Sequence, residues 1–150
     1  MKVIKLNNLK FNVRRCVADD YWFCYFLSKK NMLSYVVKYW GRWNPRAYRK
    51  DFDKRNVKII RYKGKRVGFY NLVIKRDCAY LYNIQVSGPM RGRGLGTKLL
   101  ELIEQEVKLK RMTRVNLQVF KDNPSKNLYG RVGYKVVKDR GSSLIMEKRL

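Results

Sequence analysis

At 150 residues and 45% apolar content, the chain is long enough for one domain with a substantial core and too apolar to be disordered. Three cysteines without a C-x-x-C spacing, and no histidine, argue against a disulfide framework, a zinc site and histidine-based catalysis. Thirty-six Lys and Arg against eleven Asp and Glu give a net charge of +25, a field that draws polyanions.

Residues 1–10 read as an extension or an edge strand through Val3, Ile4 and Leu6, and carry no apolar run of signal length. Phe11 to Cys16 alternates as a first strand. Asp19 or Asp20 is suited to cap a helix through the aromatic block to Ser28, and a second helical stretch runs from Met32 to Trp40. The longest apolar block, Tyr21 to Leu27, is too short to span a membrane. Cys16, Cys24 and Cys78 are expected to be buried thiols in a reducing cytoplasm, so a cytoplasmic protein without membrane contact is the expectation. Gly41 breaks the helix, and Pro45 begins a short one across Arg46 to Phe52. Val57 to Tyr62, the turn Lys63-Gly64-Lys65, and Arg66 to Lys75 form a hairpin by their turn chemistry.

Ala79 to Val86 alternates as a further strand, and Leu95, Leu99, Leu102, Ile103 and Val107 fall at helical spacing to about Lys110. Between them lies Ser87-Gly88-Pro89-Met90-Arg91-Gly92-Arg93-Gly94. Glycines admit close backbone approach, and the N–H groups at a helix start form a concavity for phosphate. The P-loop pattern fails because no Gly-Lys-Ser/Thr follows. The dinucleotide pattern fails because Thr97 stands where its third glycine belongs. What fits is R-x-x-G-x-G, as Arg91-x-x-Gly94-x-Gly96.

Arg114 to Phe120 is another strand candidate. It is followed by Asn123-Pro124-Ser125-Lys126-Asn127-Leu128-Tyr129-Gly130-Arg131-Val132-Gly133-Tyr134, with Asn123 as helix cap, Pro124 at the first helical position and Gly133 as terminator. Tyr134 to Lys138 and Leu144 to Lys148 flank a turn and read as a second hairpin. The two segments, in this order of strand and helix, resemble the signatures of the GNAT superfamily of acetyl-CoA-dependent N-acetyltransferases: the R-x-x-G-x-G loop and N-P-x-x-x-L-Y-x-x-x-G-F/Y. The resemblance implies a single-domain GNAT fold over residues 11–150. That fold is an α/β (α+β) arrangement with a mixed central sheet of about six to seven strands flanked by about four helices.

The resemblance also implies roles. Acetyl-CoA is the co-substrate, and an amine attacks its thioester carbon directly. A backbone N–H at Val86 or its neighbour would stabilise the carbonyl oxygen as charge develops. Ile84, Gln85 and Val86 would pair with the pantetheine arm. Arg91, Gly92, Arg93, Gly94, Leu95, Gly96 and Thr97 would hold the pyrophosphate. Tyr129 matches the tyrosine that protonates the departing thiolate, and Asn123 an asparagine that contacts pantetheine. Two positions depart from the pattern. Gly88 and Pro89 stand where proline and an acid are usual before the loop, and Tyr80 to Val86 holds no glutamate to deprotonate the amine. Asp51, Asp53, Asp77 and Tyr82 are the alternatives, and the base stays open.

The acceptor is expected against the aromatic region of the first helices, with Trp40 and Trp43 reaching a pocket or partner surface. It is a small-molecule or peptidyl amine. The alternatives are a nucleic-acid-borne acceptor (aminoacyl-tRNA or a ribonucleoprotein) and a basic nucleic-acid-binding protein with a non-catalytic GNAT fold. The charge, heavier in residues 1–75 (20 basic, 4 acidic) than in the remainder, reads either as RNA or ribonucleoprotein contact or as a solvated basic surface. Open edge strands and family habit admit a homodimer.

Overall fold

The structure, a computed structural model, describes residues 2–150. The elements are β1 (Lys2–Leu6), β2 (Leu9–Arg15), α1 (Tyr21–Trp40), α2 (Pro45–Asp51), β3 (Val57–Tyr62), β4 (Lys65–Ile74), β5 (Ala79–Val86) and α3 (Leu95–Leu109). They continue as β6 (Arg114–Phe120), α4 (Ser125–Arg131), β7 (Lys135–Asp139) and β8 (Ser143–Arg149), with 3-10 turns at Ala18–Asp20, Lys54–Asn56 and Gly88–Met90. The strands hydrogen-bond in the order β1-β2-β3-β4-β5-β6-β8-β7. β5 and β6 run parallel, while β1–β2, β2–β3, β3–β4, β6–β8 and β7–β8 are antiparallel.

This is the mixed α/β architecture expected, with eight strands rather than six to seven. The extra one is the N-terminal extension. It pairs with β2 from Lys2↔Val13 to Leu6↔Leu9, and the two-residue turn between them starts at Asn7 with φ 54°. Asparagine tolerates the left-handed angles that such tight hairpins demand. The Lys63-Gly64 turn uses the same device, with φ of 49° and 77°.

The first helical region differs from its expectation. One continuous helix of 20 residues, α1, replaces the two stretches ending at Ser28 and starting at Met32. Ser28 to Asn31 contains neither glycine nor proline, so no local signal interrupts the ladder. Nor does Asp20 cap α1 with its side chain. Its carboxylate turns back to accept the Val17 N–H at 2.8 Å and two Arg14 donors at 2.7 and 2.9 Å. Arg66 Nε also reaches it, at 2.9 Å. Asp20 is fully buried, and two guanidiniums with one amide satisfy it. Cys16 and Cys24 are buried as expected, but Cys78 is only half-buried, in the short turn before β5.

The chain divides into two compact units: residues up to Asn71 with Asn83–Arg93, and Leu72–Tyr82 with Gly94–Leu150. In the first, Cys16, Cys24, Leu27, Val57, Ile59 and Phe69 form a core, extended by Phe23 and Phe52. Gly68 on β4 lies so close to β5 that a β-carbon there would stand 2.7 Å from the Gln85 carbonyl oxygen. In the second, α3 buries Leu95, Leu99, Leu100, Leu102, Ile103 and Val107, and both α3 and α4 pack on β6. Each fully buried leucine contributes about 2 kcal/mol.

Candidate active site

β5 has the predicted limits, Ala79–Val86. Its ladder with β6 spans Ala79↔Val115 to Leu81↔Leu117. At its far end Ser87 N–H donates to the Val67 carbonyl at 2.8 Å, fixing the exit from the strand. Val86 is half-buried, and its carbonyl accepts from Asn31 Nδ2 at 3.3 Å and Arg91 Nε at 3.4 Å. Gly88-Pro89-Met90 then makes a 3-10 turn, closed by Met90 N–H to Ser87 O and Arg91 N–H to Gly88 O, and buried Met90 anchors it. The departure from the usual proline position is thus absorbed in one turn of regular hydrogen bonding.

Arg91, Gly92, Arg93 and Gly94 are exposed. Gly92 and Gly94 have φ of 73° and 84°, angles that disfavour any side chain. Gly94 is the N-cap of α3 and supplies no side chain to satisfy the first amides. Helices leave four such N–H groups without an internal partner. Those of Leu95, Gly96 and Thr97 therefore suit an anion such as phosphate. Leu95 is buried and pins the helix start, while Gly96 and Thr97 are half-buried.

The second segment folds beside this helix. The N-cap of α4 is Pro124, one residue after the Asn123 expected, and Asn123 Oδ1 accepts the Ser125 N–H at 2.9 Å just ahead of the helix. A β-carbon on Gly96 would meet Leu128 Cδ2 at 3.0 Å, so α3 and α4 are in contact through the two signature segments. Tyr129 is buried and packs edge-on against Tyr134, with ring centroids 5.9 Å apart. Burial pushes the Tyr129 phenol up to about 12. Tyr134 moves up too, through burial and the charges of Glu104 and Tyr129, and its buried hydroxyl has no hydrogen-bond partner among the described residues.

Trp43 and Trp40 have different surroundings. Trp43 donates its indole N–H to the Tyr25 hydroxyl at 3.0 Å and stacks on Tyr48, within a cluster that includes Tyr21 and Phe52. Trp40, at the end of α1, is 62% exposed.

Sequence reading missed a chain of neutral polar groups joining β5 to α1. Gln85 Nε2 donates to Asn83 Oδ1 at 2.9 Å, and Asn83 Nδ2 donates to Ser28 Oγ at 3.1 Å. Ser28 Oγ lies 3.1 Å from the Tyr48 hydroxyl, and Asn31 Nδ2 donates to Gln85 Oε1 at 3.0 Å. The signal was the pair of amides at alternate positions, 83 and 85, in an otherwise apolar or aromatic strand. Both occupy the stretch where a glutamate was sought. Of the alternative bases, Asp53 is taken by Arg55, whose hydrogen bonds hold it below the usual carboxylate range, and Asp77 accepts from Arg114 only through its main-chain oxygen.

A family model described as acetyltransferase (GNAT) family matches residues 16–134. Among solved structures, the chain is similar to the PaiA N-acetyltransferase of Thermoplasma acidophilum in complex with coenzyme A, at 20% identity and TM-score 0.74, covering 93% of this chain and 99% of that one. It is also similar to the ribosomal-protein-S18-alanine N-acetyltransferase of Escherichia coli, at 18% identity and TM-score 0.75, covering 93% of each chain. Ard1 of Thermoplasma volcanium matches at 16% identity and TM-score 0.74, covering 93% and 97%. No curated protein matches the sequence.

Proposed function

This chain belongs to the acetyltransferase (GNAT) family, and we propose that it transfers an acetyl group from acetyl-CoA to the nitrogen of a primary amine. One observation carries this reading: two left-handed glycines, Gly92 and Gly94, deliver a side-chain-free helix start flanked by Arg91 and Arg93. That is a seat for the pyrophosphate of coenzyme A. The main chain of Ile84, Gln85 and Val86 would pair with the pantetheine arm, with Asn123 as a further contact.

The amine nitrogen attacks the thioester carbon, and negative charge gathers on the carbonyl oxygen, toward which the Val86 N–H would point. As the carbon–sulfur bond breaks, the thiolate takes the proton of Tyr129, and the amine gives up its own to water. A phenol held near 12 keeps its proton throughout the neutral range and releases it only to a base formed beside it. Asn83 and Gln85 would hold the acceptor by hydrogen bonds in place of a carboxylate. Trp40 and Trp43 are the proposed aromatic wall of that site.

The charge of +25 supports a second reading, in which the acceptor amine is carried by RNA or a ribonucleoprotein, such as the aminoacyl group of tRNA. A third keeps the fold for RNA binding alone. Labelled acetyl-CoA added to a lysate, followed by separation into protein, RNA and small molecules, distinguishes them. Label in RNA that mild alkali removes selects the aminoacyl acceptor, and label in small molecules or one protein selects the plain enzyme. No enzyme-dependent label, with acetyl-CoA still bound, leaves an acceptor absent from the lysate or the non-catalytic reading.

A further inference from the structure

In the second unit, a cavity of about 630 Å³ is lined by Arg76, Asp77, Arg111, Met112, Thr113, Arg114, Arg149 and Leu150. Three separate segments bring the four arginines together: the turn before β5, the α3–β6 connection with the first residue of β6, and the end of β8. None of them belongs to the glycine loop or to α4. We infer that this cavity is a second anion site, built to bind the phosphate groups of a nucleotide or a nucleic-acid backbone.

Arg114 and Arg149 stand directly opposite each other in the β6–β8 ladder. Like charges at such positions are destabilising. Glu147 is shared between them, 3.5 Å from each, so one carboxylate at the limit of contact serves two guanidiniums. Arg114 is aimed by a hydrogen bond from its Nε to the Asp77 carbonyl at 3.1 Å, with one terminal nitrogen on Glu147 at 3.5 Å. Leu150 N–H bonds Thr113 O at 2.8 Å and ties the end of β8 to the α3–β6 connection.

Arg111 adds an independent observation. It sits just after α3 with φ 59°, where glycine or asparagine is the local choice. Its side chain is exposed on the lining of the cavity. Neither Arg76 nor Arg111 has a carboxylate partner among the described residues, and Asp77 is the single acidic side chain on the lining. A guanidinium is always charged and presents paired donors that match phosphate oxygens. Two phosphates bridging these groups would neutralise the opposed Arg114–Arg149 pair and occupy the arginines that lack acids. The cavity has the size of a small-molecule site, large enough for a nucleotide or a short stretch of backbone.

The test uses the full chain and two probes: inorganic pyrophosphate by calorimetry, and a fluorescein-labelled single-stranded RNA of about twelve nucleotides by anisotropy. The double variant Arg111→Asn, Arg149→Gln removes two of the four charges. Asparagine suits the backbone angle at 111, and the Arg149 side chain is 83% exposed, so both substitutions are expected to leave the fold intact. Lys2→Gln with Lys5→Gln lowers the net charge equally elsewhere and serves as the control.

The double variant is expected to lose one pyrophosphate site per chain, with the control unchanged. If RNA is the natural source of the phosphates, its affinity falls at least about tenfold, and the slope of log K against log salt becomes shallower by about 1.4. Loss of pyrophosphate binding with RNA affinity intact identifies a small phosphorylated ligand instead. Pyrophosphate and RNA isotherms within twofold of the control for the double variant overturn the assignment.

Discussion

Gly96 and Leu128 touch: a β-carbon on the glycine would lie 3.0 Å from the leucine Cδ2. They are thirty-two positions apart, and each belongs to one of the two signature segments. The last glycine of the loop thus has a packing reason of its own, because it lets α4 approach the first turn of α3. Gly94 is different. Its φ of 84° lies in the left-handed region, which disfavours any side chain. Gly96→Ala should therefore cost about 1 kcal/mol, since a leucine tip yields readily, and leave acetyl-CoA binding within a few-fold. Gly94→Glu should cost about 1–2 kcal/mol in stability but abolish acetyl-CoA binding, by setting a carboxylate against phosphate. Calorimetry with acetyl-CoA checks both, and binding that survives Gly94→Glu removes the loop from its assigned role.

Asp20 joins β2, β4 and the start of α1 through Arg14, Arg66 and the Val17 amide. Asp20→Asn should destabilise by about 2–3 kcal/mol, because two guanidiniums lose their acceptor charge while remaining partly solvated. Burial alone would raise the Asp20 pKa. The Arg14 hydrogen bond, the Val17 amide and the charges of Arg14 and Arg66 outweigh it and hold the group below its ordinary value. With the folded value depressed, the stabilisation is fully present above the unfolded pKa of about 3.9 and is lost as the pH falls through the folded value. Urea midpoints from pH 7 to pH 2 should show a steeper acid loss in the wild type than in Asp20→Asn. Parallel curves would mean that the carboxylate contributes nothing through its ionisation.

Tyr129→Phe should lower turnover about 10²- to 10⁴-fold with acetyl-CoA affinity little changed. Its stability should stay within about 1 kcal/mol, since the ring packing on Tyr134 survives. With the phenol held near 12 by burial, the wild-type rate should show no alkaline fall from this group below about pH 10. A fall centred nearer 8 would assign the acid to another residue.

Gln85→Glu would place a carboxylate where the strand now carries an amide hydrogen-bonded to Asn31 and Asn83. Transfer to amines of pKa near 10.4, which are charged at neutral pH, should rise at least about tenfold, with a new acid limb in the rate profile. Asn31→Ala removes the donor that positions Gln85 and should raise KM for the acceptor more than it lowers kcat. An unchanged profile in Gln85→Glu would show that this side chain does not reach the amine.

Much of this architecture could be read locally. β5 and β6 have the predicted limits, because their alternation and flanking turns are written in adjacent residues. The glycine turn and the start of α4, to within one residue, were legible because backbone angle and helix starts are properties of a few consecutive positions. The break within α1 was misread for the same reason, as two lysines and an asparagine interrupt the apolar pattern without interrupting the helix. Asp20 was misread because its partners, Arg14 and Arg66, come from strands on either side of α1 in sequence.

The sequence by itself thus determined the local features: strand and helix content, the left-handed glycines before α3 and the two signatures that assign the family. Only the tertiary structure decided what depends on residues far apart in the chain. Gln85 is joined to Asn31 and Asn83 to Ser28, Trp43 is held on Tyr25, and four arginines from three segments close on one cavity. Local conformation is fixed by neighbours along the chain. Hydrogen-bond partners and shared cavities are fixed by packing, which no short window of residues encodes.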